Sequence, residues 1–311
     1  MDLDQRPGEI MTLTRRRFLE GSSLALLAAM TGLKSHAAGA GTGPLGRPIG
    51  LQLYTVREAA GEDLLGTLKQ LQSIGYREVE TAGFYGKSGK ELRKILADHG
   101  MTAPSAHSSM GELQKGMQAI VDGAAEVGAK YLICAFPALP GNKPASAALA
   151  KEITLDDWKW NAEQLNKLGE LASKAGLQAG YHNHNMEFRS YDGVVAFDEL
   201  LKWTDPKLVT IELDLAWVVT AGLDPVTYLK KYADRISLLH VKDVRTDLVT
   251  TVDELKAQTV EVGRGKIDWK RIFAACDPKY LKHYFVEQEN FTGSTIDAVR
   301  ASFEYLSTLE V

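Results

Sequence analysis

Residues 180–188 read Gly-Tyr-His-Asn-His-Asn-Met-Glu-Phe, so polar and ionisable groups stand where an apolar strand would otherwise continue. In an extended chain alternate side chains share a face. His182 and His184 therefore point one way, and Tyr181 and Asn183 the other. Three later apolar stretches end in the same manner: Ile211-Glu212-Leu213-Asp214, Leu238-Leu239-His240-Val241-Lys242-Asp243, and Tyr284-Phe285-Val286-Glu287-Gln288-Glu289. His182, Asp214, His240 and Glu287 offer two imidazoles and two carboxylates. This donor set suits one divalent first-row metal ion, manganese, zinc, cobalt or iron rather than calcium, with manganese favoured.

The neighbours of these four extend the chemistry. Glu212 shares a face with Asp214, Lys242 with His240, and Glu289 with Glu287. Lys242 is placed to stabilise an oxyanion, or else to pair with Glu212, Glu287 or Glu289. His107 ends an earlier strand-like segment, where it either handles a proton or substrate hydroxyl or serves as a buried, hydrogen-bonded histidine. Tyr54 and Trp217 could wall a sugar ring or simply pack. Glu80, Glu187 and Arg264 complete the polar groups expected to face a substrate, and His184 joins Glu287, Lys242 and His107 as a candidate for catalysis.

Such groups act together only if the fold brings several strand ends to one place. Strand-like segments at 49–56, 78–82, 102–107, 131–136, 178–184, 209–214, 236–242 and 284–288 alternate with helical patterns such as 63–74, 90–98, 117–127 and 155–175. Gly75, Gly100, Gly128 and Gly176 each fall between a helical pattern and the next strand, as helix-ending glycines do. Eight strand-helix units imply a parallel sheet closed into a single (β/α)8 barrel, with the polar strand ends converging on one rim. The alternative is an open doubly wound sheet, but Leu51-Gln52-Leu53-Tyr54-Thr55-Val56-Arg57 carries no glycine-rich phosphate fingerprint after the first strand. The loosest stretch, 137–146, holds Pro137, Pro140, Gly141 and Pro144, and is either a lid over the barrel mouth or a long surface loop.

The 311 residues are 45% hydrophobic and 24% charged with a formal net charge of -4, an ordinary globular balance. No basic stripe offers itself to phosphates, which argues against a nucleic-acid partner. Thr14-Arg15-Arg16-Arg17-Phe18-Leu19, an apolar run and then Ser35-His36-Ala37-Ala38-Gly39-Ala40 follow the order of an export signal, and the arginine pair resembles the twin-arginine type. Residues 1–40 are accordingly expected to be a signal peptide with a short linker, and 47–311 the barrel. The mature protein would be periplasmic and free of the membrane. Cys134 and Cys276 show neither metal nor redox spacing and read as buried thiols.

Together, 51–57, the Tyr181-His182-Asn183-His184 block, Leu239-His240-Val241-Lys242-Asp243, Val262-Gly263-Arg264-Gly265-Lys266-Ile267-Asp268-Trp269 and Val286-Glu287-Gln288 resemble the sugar phosphate isomerase/epimerase family, within the xylose isomerase-like barrel superfamily. The resemblance covers nearly all of 47–311. It implies a divalent metal held by Glu, Asp, His and Glu from strands five to eight. Asp214, His240 and Glu287 match the last three, whereas His182 stands at the position of the first glutamate. Glu187 could take that place if the strand end bends inward. The implied chemistry is proton abstraction beside the carbonyl of a keto-sugar, followed by isomerisation, epimerisation or elimination. Export points away from sugar phosphates and toward free sugars and glycosides, so cleavage of a 3-keto-glycoside by elimination is the leading expectation. Isomerisation or epimerisation of an unphosphorylated sugar comes next. A non-catalytic sugar-binding barrel is the alternative of another class. The partner is thus a small carbohydrate, with room for a homo-oligomer. The DNA-repair endonucleases of the superfamily fit poorly, because they need more metal ligands and a basic face.

Overall fold

The structure, a computed structural model, describes residues 42–141, 149–256 and 258–311. The expected export signal lies outside the described residues. The barrel strands are β1 (Gly50–Gln52), β2 (Glu78–Ala82), β3 (Thr102–Ser108), β4 (Tyr131–Cys134), β5 (Gln178–His182), β6 (Val209–Asp214), β7 (Ile236–Val241) and β8 (His283–Val286). Each is parallel to its neighbours, and β1 pairs with both β2 and β8, so the sheet closes. The expected (β/α)8 barrel is the observed fold, and the open sheet is excluded.

Local chemistry sets where the helices between the strands begin and end. Ser88 with Glu91, Ser109 with Glu112 and Thr154 with Asp157 form reciprocal caps at the starts of three helices. At the end of Met110–Val127, Gly128 takes a left-handed φ of 93°, which lets the chain turn into β4. Outward strand residues such as Leu51, Val79, Leu132, Tyr181, Leu213, Leu239 and Val286 are buried in the main core with helix residues such as Leu68, Leu92 and Leu165.

Inside the barrel a separate apolar plug of Ile133, Leu238 and Phe285 fills the waist. Gly50 and Gly180 leave room for it: a Cβ at either would collide, with Phe285 and with Ile133 respectively. Removing Phe285 to alanine would cost about 3–5 kcal/mol by the usual cavity penalty. Inward residues one step further along the strands are polar: Gln52, Glu80, His107, His182, Glu212 and His240. Register shifts in the β2–β3 and β6–β7 pairings set Glu80 opposite Ser105 and Glu212 opposite Leu238.

Several strands stop earlier than the sequence pattern suggests, and in two of them a side chain takes over at the end. β1 ends at Gln52, whose side chain accepts from Tyr54 N (3.0 Å) and caps the 3-10 turn Leu53–Val56. β5 ends at His182, and the Asn183 side chain carries the pairing one residue further, accepting from Asp214 N at 2.9 Å and donating to Asp214 O at 3.3 Å. Of the proposed lid, only 137–141 is described. There Ala138 is buried and pinned by both ends of the Asn161 amide, so this part is anchored. Both cysteines are free thiols, Cys134 buried and Cys276 partly so. Among the described residues no helix is long and apolar enough to cross a membrane.

Candidate metal centre

A cavity of about 760 Å³ opens at the C-terminal rim of the barrel. His182, His184, Lys242, Glu287 and Glu289 line it over β5 to β8. Phe84, Ile120 and Phe136 line it over β2 to β4, with Tyr54, Trp217 and Leu255 at its sides. A site at this end is what a parallel barrel offers, since its loops meet there.

His182, Asp214, His240 and Glu287 come together as the sequence suggests. One ligand atom from each lies within 4.8 Å of the others, and all four residues are buried. Asp214 Oδ2 is buried and accepts no hydrogen bond, although Lys242 Nζ lies 3.0 Å away. Four convergent N and O donors, one of them a buried carboxylate oxygen with no neighbouring donor but the Lys242 ammonium, fit a divalent first-row ion.

Three carboxylates surround Lys242, whose Nζ lies 2.7 Å from Glu287 Oε2, 2.7 Å from Glu289 Oε1 and 3.0 Å from Asp214 Oδ2. It also sits 5.3 Å from the centre of the Trp217 ring. Burial would strip the ammonium of its proton, but Asp214, Glu287 and Glu289 override it and hold the lysine well above its usual value. Lys242 is thus a buried cation paired with Glu287 and Glu289, not with Glu212. Burial likewise opposes ionisation of Glu287, and Lys242 and His240 outweigh it, keeping the carboxylate charged.

Beneath this layer lies a second one. Glu212 Oε2 is 2.6 Å from His107 Nε2, 3.2 Å from His182 Nδ1 and 3.2 Å from His240 Nε2. Glu80 Oε2 takes His240 Nε2 at 2.7 Å, His107 Nε2 at 3.0 Å and the Gln52 amide at 2.7 Å, while Ser105 Oγ bonds the other oxygen. Burial alone would lower the His107 imidazole, but Glu80 and Glu212 hold it at about 9. Burial and then the Glu80 charge raise Glu212 to about 7. Burial, then the positive charge of His240 and other neighbours, keeps His182 well below its usual value, which leaves it neutral.

The remaining expected residues divide. Tyr54 and Trp217 line the cavity, and His107 reaches it from β3. His184 lines it with Nδ1 buried and unpaired, packed on Phe136 and Trp217 at 5.0 and 5.2 Å between ring centres. Burial and then Lys242 push it to about 3, so it is a neutral wall rather than a proton donor.

Three positions need correction. Glu187 does not bend inward: the turn Met186–Phe188 carries it behind β5, where it accepts from Tyr181 Oη at 2.6 Å and His184 N at 2.9 Å. Both its oxygens are used away from the cavity, so it neither completes the ligand set nor faces a substrate. Glu80 is fully buried below the cavity and supports the histidines instead of meeting a ligand. Arg264 is two-thirds exposed, 3.7 Å from Glu261, and lines a separate small hollow near Ser294.

Sequence reasoning missed Glu212 as a hub, Gln52 and Ser105 as its supports through Glu80, and Phe84, Ile120 and Phe136 as a wall. A glutamine at an inward position of an otherwise apolar first strand is a signal that could have revealed the lower layer.

A closed parallel barrel with a buried N and O donor cluster at its C-terminal rim defines a class of proteins built to hold a small molecule, and an ion where one binds, at the strand ends. The chain belongs to the xylose isomerase-like TIM barrel family, whose sequence model matches residues 68–309. It is similar to an inosose dehydratase of Geobacillus thermodenitrificans, 27% identical over 278 residues covering 83% of this chain and 91% of that one. It is also similar to an inosose dehydratase of Clostridium tetani, 29% identical over 225 residues covering 66% and 75%. A solved sugar phosphate isomerase/epimerase from Parabacteroides distasonis superposes with a TM-score of 0.70 at 26% identity, covering 89% and 97%.

Proposed function

We propose that the protein is an enzyme that eliminates a leaving group from a keto-sugar, with a 3-keto-glycoside as substrate. The observation that carries this reading is the pairing of a charged Lys242–Glu287 couple with the His182, Asp214, His240 and Glu287 donor set beside one cavity, which His182, Lys242 and Glu287 line. The dehydratase relatives support elimination over isomerisation, because loss of water from an inosose is the same kind of step. A cavity of about 760 Å³ with an apolar wall over β2 to β4 has room beyond one sugar ring, which favours a glycosidic leaving group over water.

One divalent ion, bound by His182, Asp214, His240 and Glu287, would supply Lewis acidity toward the keto oxygen and its neighbouring hydroxyl. Glu287 is ionised and faces the cavity, so it takes the proton from C2. The C2–H electron pair moves onto the keto oxygen as an enolate and then returns to form the C1=C2 double bond as the C1–O glycosidic bond breaks. Lys242 Nζ, held by Glu289, faces the negative charge that grows on the carbonyl oxygen. His107, which the carboxylates of Glu80 and Glu212 keep protonated at neutral pH, gives its proton to the departing oxygen. Trp217 and His184 form the wall beside the ring and limit water.

The test is incubation of the metal-loaded protein with a 3-keto-disaccharide deuterated at C2, following both alcohol release and loss of deuterium. Release with loss supports the reading. Loss of deuterium without release supports isomerisation or epimerisation of a free sugar instead, and neither signal would leave a binding barrel. The expected twin-arginine signal would carry the protein to the periplasm. Cell fractionation of the wild type against an Arg15→Lys/Arg16→Lys variant tests that, and equal cytoplasmic retention of both would overturn it.

A further inference from the structure

His182 and His240 each turn one ring nitrogen to the outer carboxylates and the other to the inner ones. His182 has Nε2 3.8 Å from Asp214 Oδ2 and Nδ1 3.2 Å from Glu212 Oε2. His240 has Nδ1 2.9 Å from Glu287 Oε2, and Nε2 2.7 Å from Glu80 Oε2 and 3.2 Å from Glu212 Oε2. Two ligand sets therefore compete for the same pair of rings. The outer set is His182, Asp214, His240 and Glu287; the inner set is His107, His182, Glu212 and His240. A neutral imidazole has one lone-pair nitrogen, so one ring cannot serve both sets at once.

Geometry separates them. His107 Nε2 stands between two carboxylate oxygens, Glu212 at 2.6 Å and Glu80 at 3.0 Å, which is the position of an N–H donor and not of a ligand. Glu212 Oε2 gathers ring nitrogens from three histidines, as an acceptor of their hydrogens does. Glu80 is itself fixed by Gln52 and Ser105 and cannot turn away. In the outer set, by contrast, Asp214 Oδ2 has only the Lys242 ammonium beside it at 3.0 Å and stands 3.8 Å from one nitrogen of each ring, and Glu287 opens onto the cavity where Glu212 does not.

We propose that Glu212 and Glu80 are positioning residues. They hold the hydrogens of His182 on Nδ1 and of His240 on Nε2, so that a divalent ion is taken by His182 Nε2 and His240 Nδ1 in the outer set. Carboxylates in this relation fix the ring orientation and tautomer of a ligating histidine. The inference rests on the metal centre used in the proposed function, but not on the substrate or the reaction.

The first measurement uses the unaltered full chain loaded with zinc, a diamagnetic probe. Long-range proton–nitrogen NMR spectra of the histidine rings should show His182 protonated at Nδ1 and His240 at Nε2. The reverse pattern overturns the proposal. The second is zinc affinity by competition with a chelator. Glu212→Gln and Glu80→Gln should each weaken binding roughly 10- to 100-fold, and Asp214→Asn should weaken it at least as much. His107→Gln should stay within a few-fold of wild type. Glu212 keeps one buried oxygen, Oε1, without a partner, and an inner ion would use it. Loss of zinc in His107→Gln with retention in Asp214→Asn would put the ion in the inner set and overturn the proposal. Wild-type protein that binds no zinc, manganese or cobalt would remove the metal centre itself, an outcome distinct from either pattern.

Discussion

Lys242 Nζ lies 2.7 Å from Glu287 Oε2, and the two form a buried ion pair on the cavity floor, with Asp214 and Glu289 completing a triangle of carboxylates around the ammonium. The lysine offsets negative charge that would otherwise stand unpaired in a low-dielectric site. Lys242→Met should destabilise the metal-free protein by about 3–5 kcal/mol, the usual cost of removing one partner of a buried pair. A divalent ion should restore much of the lost Tm, because it supplies the missing positive charge, and affinity for the ion should rise. Turnover should still fall, by ~10²- to 10³-fold in kcat, as for the loss of an oxyanion-stabilising group. Thermal unfolding with and without manganese, beside steady-state kinetics, checks this; an unchanged metal-free Tm would contradict it.

Glu287 belongs to both the donor set and the ion pair. Glu287→Ala should lose metal affinity and turnover together, with the loss of affinity at least ~10-fold, as expected when a ligand and not merely its support is removed. Calorimetric titration of the ion and the C2-deuterium assay give the two readouts. Retention of both would take this site out of consideration.

Glu187 predicts a pH dependence of stability. Burial lifts its carboxyl from the ordinary carboxylate value of about 4.5 to about 7 in the fold. The folded state therefore binds a proton that the unfolded state has already released, so its contribution to stability falls as pH rises from about 4.5 to about 7 and is level above that. The shift corresponds to roughly 3 kcal/mol at full size. Glu187→Gln mimics the protonated form and should remove this slope. The difference in denaturant midpoint between variant and wild type, followed across that pH range, should change steadily; a constant difference would refute the assignment.

Asp243 anchors the segment that follows β7. Its carboxylate accepts from the backbone nitrogens of Val244, Gly263, Gly265 and Ile267 and from Trp269 Nε1, at 2.9 to 3.2 Å. Asp243→Asn turns an acceptor into a donor facing donors, and should cost roughly 2–5 kcal/mol for the buried groups left unpaired. Hydrogen exchange should quicken across 262–269 before the rest of the barrel. Unchanged protection there would show that the segment is held by other contacts.

Much of this was legible along the chain because it depends on local period. Apolar runs and glycine stops mark eight strand-helix units, and alternation along β6 and β7 and one residue past β8 puts Asp214, His240 and Glu287 at the strand ends that meet. Val262 to Trp269 was visible as a motif, but its purpose as the cradle of Asp243 was not, since the carboxylate and its donors are up to 26 residues apart.

Alternation fails where a strand ends. The sequence placed His182 and His184 on one face, and both do line the cavity, but it could not tell whether Glu187 turned inward or out. The turn Met186–Phe188 and the Tyr181 hydroxyl decided that, because direction after a strand is set by what the next turn packs against. Arg264 likewise moved away with its loop. The sequence alone determined the barrel, the donor types and the rim on which they meet. Only the tertiary structure decided that Glu212 and Glu80 lie beneath the histidines, and which ring nitrogen faces which carboxylate. That choice depends on register across non-adjacent strands and on rotamers fixed by packing, which one-dimensional spacing does not carry.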